Sequence, residues 1–312
     1  MTRTNRPPLP CALCAALALL TLGAPAQAQG TAYHAGVQLS IEDQLFEDSR
    51  DGPLDGSQSP LDSTLTLPDG DSVRASASAG LGVNKAVAQI RTVNADTPVR
   101  LAYTLATNTY WDQITISDPA LDGTLGSFTT TLLVNGSGSF AASDSWANTL
   151  NVSLTAQWLS RITVGNAESG FQDNAWFGAW KRNFGTGDID YVGAPLNSFQ
   201  QEATFTFTYG QPFALGVMLQ TYIQLDNPLR EPGTLDATLD LGNSAYWGGM
   251  TIRDADGHVV DGATLASDSG LDWRLPVGVA AVPEPASAAL MLLGLFAIGG
   301  GRMSRRRAAT TG

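Results

Sequence analysis

Apolar and polar residues alternate along most of the central part of the chain. In residues 203–209 aromatic side chains alternate with threonine, so a strand formed here would bury one face. This alternation predicts Phe205, Phe207 and Tyr209 on the inner face of a sheet, with the threonines facing solvent. Similar runs occupy residues 114–116, 128–134, 150–154, 213–225, 235–241 and 250–252. Together the runs indicate a chain built mainly from short β-strands.

Turn-forming residue pairs separate these runs. They are Asp118-Pro119, Asp122-Gly123, Asn135-Gly136, Asp256-Gly257 and Asp261-Gly262. Glycine, proline and aspartate favour tight turns, and short strands joined by such turns are typical of sandwiches and jelly rolls. The pattern therefore predicts a mainly β fold, an antiparallel β-sandwich or jelly-roll-like single domain over residues 29–276.

Two positions depart from the regular strand pattern. Gly216 interrupts the run 213–225 and predicts a β-bulge. Residues 173–183 give the best helical pattern, because Trp176 and Trp180 are four residues apart and would share one helical face. We therefore expect one short helix in an otherwise β-rich body.

The N-terminal residues 1–28 have the features of a secretory signal peptide. Arg3 and Arg6 precede an apolar run at residues 11–22, and Ala26 and Ala28 supply the small residues that signal peptidase requires. A retained membrane anchor is the alternative, but a run of about 12 residues is short for a bilayer span. We expect signal peptidase to cut after Ala28 and the mature chain to start at Gln29.

Several kinds of chemistry are excluded by composition. The two cysteines, Cys11 and Cys14, lie in the signal peptide, so the mature chain has no disulfide, cysteine nucleophile or thiolate metal site. With only His34 and His258, a site of three histidines is impossible. We interpret both as surface residues, because no neighbouring residues complete a serine triad. We expect a protein that is not an enzyme and has no cofactor.

The body of the protein is strongly acidic. Of 17 Lys and Arg residues, 11 lie between the signal peptide and the C-terminal segment, together with all Asp and Glu residues except Glu284. The body thus carries 28 acidic and 11 basic residues, a formal charge of −17. Such a charge repels the phosphate backbone, so nucleic acid is not an expected partner.

Two short segments are candidates for ligand binding. Asp254 and Asp256 could begin a calcium-binding loop, but the Asp-Gly pair between two apolar stretches is more typical of a hairpin turn. Trp176, Phe177 and Trp180 form an aromatic cluster that could stack on sugar rings. The alternative for these aromatic residues is packing in the core.

The C-terminal residues have three parts. A linker at residues 277–285 ends in Pro283, Glu284 and Pro285, and an apolar run follows at residues 286–301. Sixteen helical residues rise about 24 Å, slightly less than a hydrocarbon core of about 30 Å, so we expect a short transmembrane helix. The basic tail at residues 302–312 contains Arg302, Arg305, Arg306 and Arg307, which predict a cytoplasmic location for this end.

This tripartite tail resembles the PEP-CTERM sorting signal of Gram-negative bacteria that make exopolysaccharide. The resemblance implies recognition by an exosortase, a membrane-embedded cysteine transpeptidase, with processing near Pro283, Glu284 and Pro285. It also implies export through the inner membrane and anchoring by the C-terminal helix until processing. The protein would then reside at the cell surface or in the extracellular matrix. A plain C-terminal anchor is the alternative reading of the same residues.

A second likeness to this family lies in the body. Residues 240–244, Ile252, Asp254, Gly257 and Ser269-Gly270 are similar to the closing strands of many such exported proteins. The family resemblance implies a non-catalytic surface or matrix protein, with exopolysaccharide as a candidate partner. The alternative function is a carbohydrate-binding or glycan-active β-sandwich module.

Overall fold

The computed structural model describes residues 31–53, 60–146, 149, 151–166, 169–193 and 199–277. Contacts between residues separate the chain into two units, of which the first ends at Val277. Fifteen strands are found in the described part of the chain. They are β1 (Ala32–Ile41), β2 (Gln44–Pro53), β3 (Leu61–Thr66), β4 (Ser72–Gly80), β5 (Val83–Thr92), β6 (Leu101–Ser117), β7 (Leu125–Val134), β8 (Ser137–Ala142), β9 (Ser153–Asn166), β10 (Gly170–Asn183), β11 (Ile189–Gly193), β12 (Phe199–Thr208), β13 (Pro212–Asp226), β14 (Leu235–Arg253) and β15 (Thr264–Ser267).

The strands form two antiparallel sheets. One sheet has eight strands in the order β11-β10-β9-β13-β6-β1-β2, with β15 paired to β6. The other has seven strands in the order β12-β7-β14-β5-β4-β3, with β8 paired to β14. Strands β4 and β5 of the second sheet contact β1, β6 and β13 of the first, so the sheets pack face to face in a β-sandwich-like arrangement.

One hydrophobic core fills the space between the sheets. Its largest fully buried side chains include Trp146, Trp158, Trp247 and Trp273. Polar side chains also cross the core, because Asn84 Nδ2 donates to the carbonyl of Val217, 2.9 Å away in the opposite sheet. Hydrogen bonds of this kind compensate the cost of burying an amide and join the two sheets.

The predicted mainly β fold is confirmed. The aromatic residues Phe205, Phe207 and Tyr209 are 2%, 6% and 0% exposed, whereas Thr204 and Thr206 face solvent. The predicted register of this strand is therefore correct, and each aromatic ring buried in this way contributes about 1.5–3 kcal/mol of transfer free energy. Among the described residues, no helix is long and apolar enough to cross a membrane.

The predicted helix at residues 173–183 is wrong. These residues belong to β10, which pairs with β9 along its whole length from Gly170 to Asn183. A spacing of four residues also places two side chains on the same face of a strand, so Trp176 and Trp180 are compatible with either structure. The pairing with β9 and the aromatic content of the segment favour the strand.

The predicted bulge at Gly216 is also wrong. Gly216 pairs in continuous register with Trp111 on β6 and with Thr163 on β9. A Cβ atom at this position would lie 2.4 Å from the Trp111 ring, so the glycine provides room for the indole. The register shifts occur instead in β14, between Leu241 and Ala245 and between Trp247 and Met250.

Candidate functional site

The three aromatic residues proposed to stack on sugars do not share one surface. Trp176 stacks on Phe199 with a ring separation of 5.6 Å, and Trp180 is only 7% exposed. Phe177 is 44% exposed on the opposite face of β10, because neighbouring residues of a strand alternate in direction. Trp176 and Trp180 therefore pack on the core side, and only Phe177 presents a ring to solvent.

The aspartates proposed for calcium lie in the turn after β14. The strand reverses there, since Arg253 pairs with Val259 in an isolated antiparallel bridge. Asp254 Oδ1 accepts hydrogen bonds from the backbone N–H groups of Asp256 and His258, at 3.0 and 2.8 Å. The hydrogen bond from the His258 backbone is the main reason that the pKa of Asp254 is lowered.

The same turn brings three ligand-type side chains together. Oxygen or nitrogen atoms of Asp254, Asp256 and His258 lie within 4.8 Å of one another. Asp254 Oδ2 is also 3.3 Å from His258 Nδ1. The hydrogen bonds of Asp254 account for the hairpin geometry, so the grouping is explained by the turn that the sequence predicts.

His34, the other histidine, lies on the outer face of the eight-stranded sheet. Its Nδ1 is 2.7 Å from Asp51 Oδ1, and Asp51 lies directly opposite it on β2. The ring extends over Gly36, where an added Cβ would be 3.1 Å from Nε2. The Asp51 side chain is 72% exposed, which makes this a solvated surface pair.

A largely buried cluster of hydrogen bonds, here called the closing clasp, holds the end of the described chain against both sheets. Its members are Asp112 on β6, Trp247 on β14, and Ser269, Trp273 and Val277 in residues 268–277, here called the closing segment, which follow β15. Asp112 Oδ2 accepts hydrogen bonds from Trp273 Nε1 at 2.6 Å and from Ser269 Oγ at 2.5 Å. Ser269 N also donates to Oδ1 at 3.1 Å. One carboxylate thus holds two separate positions of the closing segment.

The clasp also binds the second sheet. Trp247 Nε1 donates to the carbonyl of Trp273 at 2.7 Å, and Val277 N donates to the carbonyl of Trp247 at 2.9 Å. The Trp273 ring stacks on Tyr110 at 5.6 Å and meets the Trp247 ring edge-on at 5.4 Å. Because β6 and β14 belong to different sheets, the clasp fastens the end of the body to both.

Burial gives the Asp112 carboxyl unusual electrostatics. The residue is 0% exposed, and loss of solvation raises its pKa although Ser269 and Trp273 donate hydrogen bonds to it. The sequence points to the closing segment only through Ser269-Gly270. Sequence reasoning misses Asp112. The available signal is its position in an alternating strand, where it shares a face with Tyr110 and Ile114.

The remaining predicted residues lie outside the described part of the chain. They are the signal-cleavage residues Ala26 and Ala28, the motif Pro283, Glu284 and Pro285, and the tail arginines Arg302, Arg305, Arg306 and Arg307. Comparisons of the chain with protein-family models and with curated proteins find no match.

Proposed function

We propose that this chain is an exported, non-catalytic protein of the cell surface or extracellular matrix, sorted by an exosortase. Signal peptidase removes residues 1–28, and a transmembrane helix at residues 286–301 holds the product in the inner membrane until processing. The finer fold description, a single β-sandwich followed by this helix, is part of the proposal. The partners are the two enzymes, the membrane and, as a candidate, exopolysaccharide.

The observation that carries the proposal is the order of features along the C-terminal chain. Pro283, Glu284 and Pro285 precede an apolar run and an arginine cluster. Proline fixes its own backbone and keeps the preceding residue extended, so the motif resists incorporation into the following helix. An extended segment beside the membrane is accessible to a transpeptidase.

The closing clasp in the folded body also supports this proposal. Within the part of the chain that the structure describes, its last hydrogen bond holds Val277, which lies six residues before Pro283. Cleavage near Pro283 would therefore remove no residue of the clasp. A sorted protein needs this separation, because its body must remain folded after the tail is removed.

Replacement of Pro283, Glu284 and Pro285 by alanine tests the proposal. We expect the variant to accumulate at full length in the inner membrane of a host that contains the exosortase, because the helix can then extend through the former motif. A matched control replaces Gly278, Val279 and Val282 of the same linker by alanine, and its processing should be unchanged.

Mass spectrometry of the surface form is the measurement. We expect a mature protein that lacks residues 286–312 in the wild type and in the linker control. A surface protein that still carries residues 286–312 intact would mean that the segment is a plain anchor. Removal of Arg305, Arg306 and Arg307 should instead weaken retention of the C terminus on the cytoplasmic side.

A carbohydrate-binding module is the second candidate function. The cluster of Trp176, Phe177 and Trp180 does not support it, because these side chains point to different faces. It is favoured instead by a groove on the outer face of the eight-stranded sheet, which is lined by amide, hydroxyl and aromatic groups.

A further inference from the structure

A groove of about 420 Å³ crosses the outer face of the eight-stranded sheet. Ala179 on β10 lies opposite Gln157 on β9, which lies opposite Tyr222 on β13. The next row is formed in the same way by Lys181, Thr155 and Gln224.

The shape of the groove follows from its short side chains. Ala179 is flanked on the same face by Phe177 and Lys181, two residues away on either side, so a depression forms above its methyl group. The edge strand β11 continues the two rows with Val192 and Asp190. Three inter-strand spacings give the groove a length of about 14 Å.

Three side chains on β13 form a chain of hydrogen bonds along one wall. The Tyr222 hydroxyl donates to Gln224 Oε1, and Gln224 Nε2 donates to Asp226 Oδ2 at 2.7 Å. The Tyr222 ring is held by Tyr103, 6.3 Å away. Residues two apart on a strand share a face, so these contacts fix the orientation of the Gln224 amide and the Asp226 carboxylate.

The fixed groups keep further capacity for a ligand. The amide NH₂ of Gln224 has two hydrogens, and one of them is used in the bond to Asp226. The Asp226 carboxylate has about four acceptor sites, and this bond uses one of them. A donor and an acceptor thus lie side by side at the groove. Hydroxyl groups both donate and accept, so they match such a pair.

We propose that this groove binds a neutral polysaccharide. A pyranose ring combines hydroxyl edges with apolar C–H faces, and the groove combines polar groups on β13 and β9 with the apolar surfaces of Ala179, Val192 and Tyr222. Lys181, Asp190 and Asp226 give the site a net negative charge, and the body carries −17. Polyuronates and other polyanions are therefore disfavoured by repulsion.

This inference goes beyond the proposed function. It depends on that function only because an exported protein meets polysaccharide outside the cell. The probes are three neutral polymers, dextran, laminarin and galactomannan, and the polyuronate alginate. Affinity electrophoresis of the full-length protein in detergent measures the dissociation constant for each polymer. We expect retardation by at least one neutral polymer and none by alginate.

Two substitutions on the same strand make the test specific. Ala179→Phe fills the groove and should weaken binding about tenfold or more, since it displaces the ligand from its hydrogen-bond partners. Ala175→Phe is the matched control, because Ala175 is an exposed residue on the same face of β10 outside the groove lining. Its binding should stay within about twofold of wild type. Gln224→Ala removes the oriented amide and should also weaken binding about tenfold.

The outcomes separate this inference from the sorting proposal. Equal binding by the Ala179→Phe and Ala175→Phe proteins, retardation by alginate, or no retardation by any neutral polymer would overturn the groove assignment. An exposed apolar side chain, Val192 at 62%, lies at the end of the groove. If the wild type self-associates but binds no glycan, and only Ala179→Phe loses the self-association, the occupant of the groove is a second copy of the chain and the glycan proposal is overturned. Processing of the C-terminal tail in Ala179→Phe should remain normal. Failed tail processing in wild-type protein that binds glycan would contradict only the sorting proposal.

Discussion

Replacement of Asp112 by alanine should destabilise the folded body through the closing clasp. Asp112 and Trp273 are both 0% exposed, so the indole N–H loses its acceptor and water does not replace it. An orphaned buried donor costs about 1–3 kcal/mol, and the cavity left by the carboxyl group adds to this cost. The Ser269 hydroxyl is closer to solvent and can find new partners. We therefore expect a loss of about 2–4 kcal/mol in the free energy of unfolding.

Asp112→Asn is the matched control, because its amide oxygen can still accept from Trp273. Burial raises the pKa of Asp112 in the folded state above its value in the unfolded state. Between these two pKa values the folded wild type therefore binds more protons than the unfolded wild type. The stability linked to this carboxyl is present below the unfolded pKa and is lost as pH rises through the folded pKa. Relative to wild type, Asp112→Asn should therefore gain stability as pH rises through that window.

Denaturant unfolding followed by tryptophan fluorescence measures both effects at a series of pH values. The reasoning about the clasp fails if the midpoint denaturant concentration of Asp112→Ala equals that of the wild type. The electrostatic reasoning fails if the difference between Asp112→Asn and wild type has no pH dependence, or decreases as pH rises.

Three further predictions follow from particular contacts. Phe207→Ala should cost about 3–5 kcal/mol in denaturant unfolding. Thr206→Ala on the solvent face loses only an exposed hydrogen bond to Gln172 and some strand propensity, so it should cost about 1 kcal/mol or less; similar losses for the two variants would contradict the strand register. Gly216→Ala should cost about 1–3 kcal/mol because its Cβ meets the Trp111 ring at 2.4 Å, and an unchanged midpoint would show that the indole moves freely. Asp254→Ala should lower the melting temperature at neutral pH and less so in acid. The stability linked to the lowered pKa of Asp254 is fully present above its unfolded pKa and is lost as pH falls through its folded pKa; calorimetry showing equal losses at both pH values would refute this.

The alternation of residues predicted the strand faces well because the relation is local. Successive side chains of a strand point to opposite sides, so the threonines that alternate with Phe205 and Phe207 indicate which face is buried. The order of strands is a different matter. β13 lies between β6 and β9, and nothing in its own residues specifies these two neighbours. Sheet order depends on how all apolar faces are covered together, which a single segment does not encode.

The error at residues 173–183 shows where periodicity is ambiguous. Positions four apart share a face in both a helix and a strand, so Trp176 and Trp180 carry no information about the choice. Phe177 distinguishes the two structures. A strand places its side chain on the face opposite to that of Trp176, whereas a helix rotates it by only about 100° from Trp176. Its exposure of 44% beside a half-buried Trp176 agrees with the strand.

The clasp was only partly accessible from sequence. Ser269 was identified through a family likeness, but its contact with Asp112 joins positions 157 residues apart. The need for such a partner can be inferred, because an aspartate inside a buried strand must be hydrogen-bonded. The identity of the partner cannot be inferred from one sequence, since many serine and tryptophan side chains could satisfy the same carboxylate.

The clasp and the groove lie near opposite ends of the eight-stranded sheet. Asp112 lies opposite Leu215 near the start of β13, and the groove contains Gln224 near its end. Nine residues of extended strand separate the two, about 30 Å. The two sites share no residue and are too far apart for a side chain of one to contact the other. Effects of substitutions at the two sites should therefore add, so Gln224→Ala should weaken glycan binding without changing the stability loss caused by Asp112→Ala. A double variant whose unfolding free energy differs from the sum of the two single effects by more than about 0.5 kcal/mol would contradict this independence.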